Sequence, residues 1–199
     1  MNRSVDLGRD TRLDEARSRA TRGRGRRTLF VVASLALAAI LVLLERERDG
    51  SSLLRAAAVN LAVVSWSSFV LPLRGLPAFE SYYRLRRWER SGRLYRALGV
   101  PAFRALVRRG PLATFNHALP AAWRSGDPRR IEHEIRAAEA GHGIAFGLVL
   151  AFATIALLRS EVRLAAWLVG LDLPMNLYPV LLQRFHRVRL GGASPTPER

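Results

Sequence analysis

NLYPVLLQRFHRVRL, Asn176 to Leu190, joins the end of the last apolar segment to a cationic cluster. Read as a helix leaving a bilayer, it puts Asn176 at hydrocarbon depth and Arg184, Arg187 and Arg189 at the surface. An asparagine and a glutamine are costly in lipid unless partnered, and three arginines in six residues make a strong donor set for phosphate or carboxylate. Apolar and anionic chemistry meet in one segment, and the rest of the chain must supply a bundle around it.

Composition agrees. At 199 residues, 49% apolar with a formal charge of +16, the chain fits no ordinary soluble domain. All 32 basic residues are arginine, which favours phosphate and headgroup contacts, although a GC-rich genome gives the same bias. The absence of cysteine excludes disulfides, thiolate metal sites and a cysteine nucleophile. So basic a chain could bind nucleic acid, but its arginines flank apolar runs that contain almost none, which is a membrane distribution.

Working outward along the chain, residues 1–27 read as a disordered basic arm. Residues 28–73 hold two spans, Thr28 to Leu44 and Leu53 to Leu73, with Arg55 snorkelling at the start of the second. Thr28 to Leu44 reads as an uncleaved anchor rather than a signal peptide. Asn60, Ser67 and Ser68 are spaced to share a face turned into the bundle. Residues 74–141 are strongly basic and carry interfacial helices: Ser81 to Gly99, with Leu85, Trp88, Gly92 and Tyr95 along one face, then a short helix from Pro101 to Arg109. A loop is expected up to Asp127-Pro128, then a charged helix running into the third span, Gly143 to Leu158. Gly143 and Gly147 form a small-xxx-small pair for helix packing. The fourth span, Leu164 to Leu182, carries Asp172, Pro174, Asn176 and Pro179 and should be broken or kinked. Residues 142–190 thus form a transmembrane hairpin ending in the arginine motif, and 191–199 a tail.

The expected class is an all-α integral membrane protein with about four transmembrane helices plus amphipathic helices at the cytoplasmic face. Nine arginines precede the first span, fourteen lie between Arg74 and Arg136, and four follow the last, against four in the two short turns. The positive-inside rule therefore predicts a multi-pass cell-membrane protein with both termini cytoplasmic.

RRIEHEIRAAEAGHGIAF, Arg129 to Phe146, supplies the acid-base candidates. On a helix Glu139 and His142 are neighbours at i and i+3, so the carboxylate could fix the imidazole's tautomer and let it accept a hydroxyl proton. The alternative is a charged helix whose acids pair with Arg129, Arg130 and Arg136. One ExxH is half of a di-iron set and no second copy exists, so no metal is expected; His117 and His133 read as surface residues. There is no GxSxG elbow, Walker loop or dinucleotide fingerprint, and no histidine has an aspartate five positions on. Asp172, the acid inside an apolar span, either serves function or caps the helix resuming near Pro174.

These two segments resemble the glycosyl-4,4'-diaponeurosporenoate acyltransferase family. Glu134, Arg136, Ala138, Glu139 and His142 carry the first match, where Ile135, Ala137 and Gly143 depart from the pattern. Asn176, Gln183, Arg184, Arg187, Arg189 and Leu190 carry the second, with Phe185 and His186 replacing a tyrosine and an asparagine. YRLRRWERSGRLYRALGVPAFRALV resembles the family's basic helix pair, so the similarity covers roughly Phe79 to Leu190.

The resemblance implies transfer of a fatty acyl group to a sugar hydroxyl of a glycosylated carotenoid or related glycolipid at the cytoplasmic face. His142, oriented by Glu139, would be the base, and Arg184, Arg187 and Arg189 would hold the phosphates of an acyl-CoA-type donor. Asn176 and Gln183 would orient the sugar or polarise the thioester carbonyl, with Glu134 and Glu89 as further contacts to sugar hydroxyls or to the arginines. No cofactor is expected, the donor being a substrate. The partners would be membrane lipids, donor, acceptor and other enzymes of the pathway, with no nucleic acid. Two other readings fit the residues: a non-enzymatic scaffold whose basic face holds anionic lipids, and a transporter built on the broken fourth span.

Overall fold

The structure is a computed structural model describing residues 25, 27–44, 46, 50–74, 80–109 and 118–193. Most of the expected basic arm, His117 and residues 194–199 lie outside the described residues. Every regular element among them is helical. In chain order they are α1 (Arg27–Leu44), α2 (Ser52–Arg74), α3 (Glu80–Tyr83), α4 (Arg93–Ala97), α5 (Val100–Arg109), α6 (Ala118–Ser125), α7 (Pro128–Leu158), α8 (Val162–Asp172), a π turn (Leu173–Leu177) and α9 (Tyr178–Ala193). α1, α2, α7 and the α8-to-α9 unit are each long and apolar enough to cross a membrane.

The bundle core is rich in alanine. Ala56 and Val63 of α2, Ala145, Val149, Ala153 and Ala156 of α7, and Leu164, Ala165 and Leu168 of α8 form one buried cluster. Alanine lets helix backbones approach closely where lipid gives no hydrophobic drive. The expected glycine pair does not do this: Gly143 faces the Tyr82 hydroxyl, and nothing lies within 4 Å of where a Cβ on Gly147 would stand. On α2, Asn60 and Ser67 are fully buried as their spacing predicts, whereas Ser68 is exposed. The Asn60 amide donates to the carbonyls of Ala56 and, across helices, Leu168. Arg55 does not snorkel; it is buried and pairs with Glu161 at 3.2 Å.

α7 is 31 residues long, a rise of about 46 Å against a hydrocarbon core of about 30 Å, so its polar first turns project beyond the membrane. Asp127 caps it, accepting from the Arg129 amide, with Pro128 at the first helical position. Around this projecting part α3 packs through Tyr83 on Ala140 and Ile144, α6 through Ala122 on Ile131 and Ile135, and α4 and α5 seat Tyr95 and Val100 on Leu182 and Phe185 of α9.

Two local expectations change. The helix read over Ser81 to Gly99 is broken into α3 and α4, because Gly92 takes a left-handed φ of 63° and Glu89 turns inward to accept the Arg86 amide. The loop before Asp127 contains α6.

Candidate functional site

α7 and α9 run past each other where the two sequence motifs meet, and they are joined in two tiers. The outer tier is ionic. Glu139 on α7 is fully buried and accepts from Arg184 Nε at 2.9 Å and from Arg187 Nη1. Arg184 then reaches back to the α3–α4 connection: Nη1 donates to Glu89 at 2.8 Å and Nη2 to the Tyr82 carbonyl at 2.8 Å. Glu89, also buried, takes the Tyr95 hydroxyl at 2.6 Å and the Arg86 amide at 2.7 Å. Tyr82 lies beneath Arg184, and Tyr83 beneath Arg187 and Arg136.

Two carboxylates and two guanidiniums therefore close on one another, and the arrangement supplies its own counter-charges. Burial opposes the Glu89 charge, yet the Tyr95 hydroxyl, the Arg86 amide and Arg184 outweigh it and hold the carboxyl below its usual range. Burial first, and Glu89 next, push the Tyr95 phenol up, so it remains a donor.

The inner tier, one turn deeper on α7, is a line of neutral donors ending on an acid. Asn176 Nδ2 donates to Asp172 Oδ1 at 2.7 Å, which turns its amide oxygen toward His142 Nδ1 at 3.2 Å. An amide oxygen only accepts, so in the neutral ring this contact puts the hydrogen on Nδ1, and the Met175 backbone also bonds to the ring. Asp172 and Asn176 are fully buried, and His142 is half-buried. Asn176 sits in the π turn, at whose start Pro174 lacks the amide hydrogen that would continue the α ladder.

The sequence motifs are thus brought together but paired differently from expectation. Glu139 is spent on two arginines, and Asn176 takes its place at His142. Arg184 and Arg187 point inward to acids, whereas Arg189 is exposed. Gln183 is buried with Oε1 unpartnered. Glu134 is half-buried, with no ion pair to it among the described residues. Asp172 forms no side-chain cap on the helix that follows, and its Oδ2 is buried without a partner, so it belongs to the inner tier. Tyr82, absent from the sequence reading, sets its hydroxyl 2.8 Å from where a Cβ on Gly143, the residue after His142, would stand. The glycine next to the histidine was its one signal.

No curated protein and no solved structure matches the chain. A family model does, over residues 79–193, more than half of the sequence and the whole of both tiers: that of glycosyl-4,4'-diaponeurosporenoate acyltransferase. The chain belongs to this family, and it is an acyltransferase of carotenoid modification.

Proposed function

We propose that the chain esterifies a sugar hydroxyl of a glycosylated carotenoid, or of a related glycolipid, with a fatty acyl group taken from a coenzyme A thioester at the cytoplasmic face. His142 Nε2 takes the hydroxyl proton while the sugar oxygen attacks the thioester carbonyl carbon. The tetrahedral intermediate collapses with cleavage of the C–S bond, and the imidazolium returns the proton to the leaving sulfur, giving ester and free thiol. Asn176 holds the tautomer this requires, and Asp172 holds Asn176. The Gln183 amide oxygen, buried and unpartnered, can accept from a second sugar hydroxyl. The Tyr82 hydroxyl, kept protonated by burial and then by the Glu139 charge, would donate to the developing oxyanion.

The observation that carries this reading is the His142–Asn176–Asp172 line, which orients the imidazole inside the bundle below the ionic tier. A lipid-holding scaffold would need Arg184 and Arg187 outward, and both are committed to Glu139. The test is pigment and lipid mass spectrometry of the host with and without this chain, then purified protein given acyl-CoA and the accumulating glycoside. An acyl mass lost on deletion and restored in vitro is expected, and His142→Ala should lower the restored rate by about 100- to 10,000-fold while the protein stays in the membrane. Full activity in that variant would remove the base.

A further inference from the structure

Among the arginines of the α3–α9 region, few meet a carboxylate. Arg136, Arg184 and Arg187 each meet a carboxylate. Arg104 and Arg108 of α5 and Arg189 of α9 meet none among the described residues, although α5 is fixed against α9 through Val100, Phe103, Leu182 and Phe185. Arg104 and Arg108 are one helical turn apart, a like-charge spacing that weakens a helix. Phe103 and Val188, the chain neighbours of Arg104 and Arg189, pack on the same buried cluster, which brings the two helices' charges to one side of it; burial, then the fields of Arg189 and Arg108, push the Arg104 guanidinium below its ordinary value. The buried His186 ring lies within reach of all three charges, and the Trp123 ring of α6, 44% exposed, stands 6.4 Å from it. α5 and α9 thus gather positive charge beside an exposed aromatic ring of α6, with no acid paired to it among the described residues. Such an arrangement is completed by an anion from outside.

We propose that Arg104, Arg108 and Arg189, with Trp123 at the rim, bind the phosphate of a phosphate-bearing ligand. Taken with the acyl-transfer reading, on which this part rests, the ligand is the phosphate end of the acyl donor. From Asn176 to Arg189 the helix rises by about 20 Å. That separation suits a donor whose phosphates and thioester are joined by a long flexible arm. The same chemistry would take a lipid headgroup phosphate, and the two sources can be told apart.

Full-length protein in phosphatidylcholine nanodiscs is titrated with coenzyme A, and pyrophosphate is then added as competitor. Arg104→Gln, Arg108→Gln and Arg189→Gln keep most of each side chain's packing, and Arg87→Ala, on an exposed turn, is the control. Wild type and control are expected to bind with pyrophosphate competing, and each glutamine variant to weaken binding about tenfold. Arg189→Lys should recover part of the loss. In the second arm the discs also contain phosphatidylglycerol; if the headgroup is the natural occupant, this lipid competes with coenzyme A and co-purifies with wild type but not with the variants. Unchanged coenzyme A affinity together with unchanged phosphatidylglycerol retention overturns the site and returns the arginines to a solvated face. A protein that binds coenzyme A through these arginines yet esterifies no sugar sinks the acyl-transfer reading and leaves the site. Full transfer with an unaltered KM for acyl-CoA in the variants does the reverse.

Discussion

Glu139 is held by two guanidiniums that would otherwise be buried beside one another, so its loss should be felt through what it leaves behind. Removing one partner of a buried, hydrogen-bonded ion pair costs about 3–5 kcal/mol, whereas replacing both with apolar residues of similar size is often close to neutral. Glu139→Met should therefore destabilise strongly, and Glu139→Met with Arg187→Met should recover much of the loss, since Arg184 keeps Glu89. Denaturation in micelles reads both; effects that merely add would show that the pair is not coupled. The same network carries a pH dependence. A folded-state value below the ordinary 4.5 means that Glu89 contributes stability above that pH and loses it as the pH falls through the depressed value. Glu89→Gln should be less stable than wild type at neutral pH, and the gap should narrow on acidification below about pH 4. At His142 the expectation is kinetic. Asn176→Ala removes the tautomer lock without touching substrate chemistry directly, so kcat should fall by about 10- to 100-fold with little change in the KM for acyl-CoA. A change confined to KM would show that Asn176 binds substrate instead.

At the scale of elements, the π turn decides which residues can meet. It gives Leu173 to Leu177 a wider ladder and sets Asn176 toward α7, where it finds His142. Pro174→Ala returns an amide donor and allows this stretch to tighten, which turns Asn176 away. The variant should keep or gain thermal stability while losing transfer, and loss of both would make the proline structural alone. The break in the fourth span was legible, because proline cannot continue an α ladder; its form was not, because nothing in Pro174 alone chooses a π turn over a kink. The position of the acids shows the same division. Spacing put Glu139 and His142 on neighbouring faces of one helix, but which partner each takes depends on α9 packing against that helix, a contact absent from local periodicity. Spacing likewise gave Ser81 to Gly99 a continuous amphipathic helix, since the inward turn of Glu89 depends on Arg184, 95 residues away. Gly143 was read as a packing glycine and instead admits the Tyr82 hydroxyl. Gly143→Ala should displace that ring and lower transfer, with the packing penalty relieved by Tyr82→Phe.

For the whole molecule, hydropathy made the four spans legible because a bilayer asks for length and apolarity, both of which are local properties. The cap formed by α3 to α6 was harder to read, as these short helices exist mainly through packing on the projecting ends of α7 and α9. Cap and ionic tier lie at one end of the bundle, and the α7–α8 turn lies at the other. The imbalance of arginines between the two ends predicts that the cap is cytoplasmic. The same side is where a coenzyme A thioester would be met. Because the chain has no cysteine, single substitutions report sidedness without background. Arg124→Cys, exposed on α6, and Arg163→Cys, exposed at the start of α8, stand at opposite ends. In intact cells a membrane-impermeant maleimide should label Cys at 163 and spare Cys at 124, and permeabilisation should expose both. The reverse pattern would put the His142 site outside the cell, away from any coenzyme A thioester, and the donor would then have to be an acyl lipid of the outer leaflet.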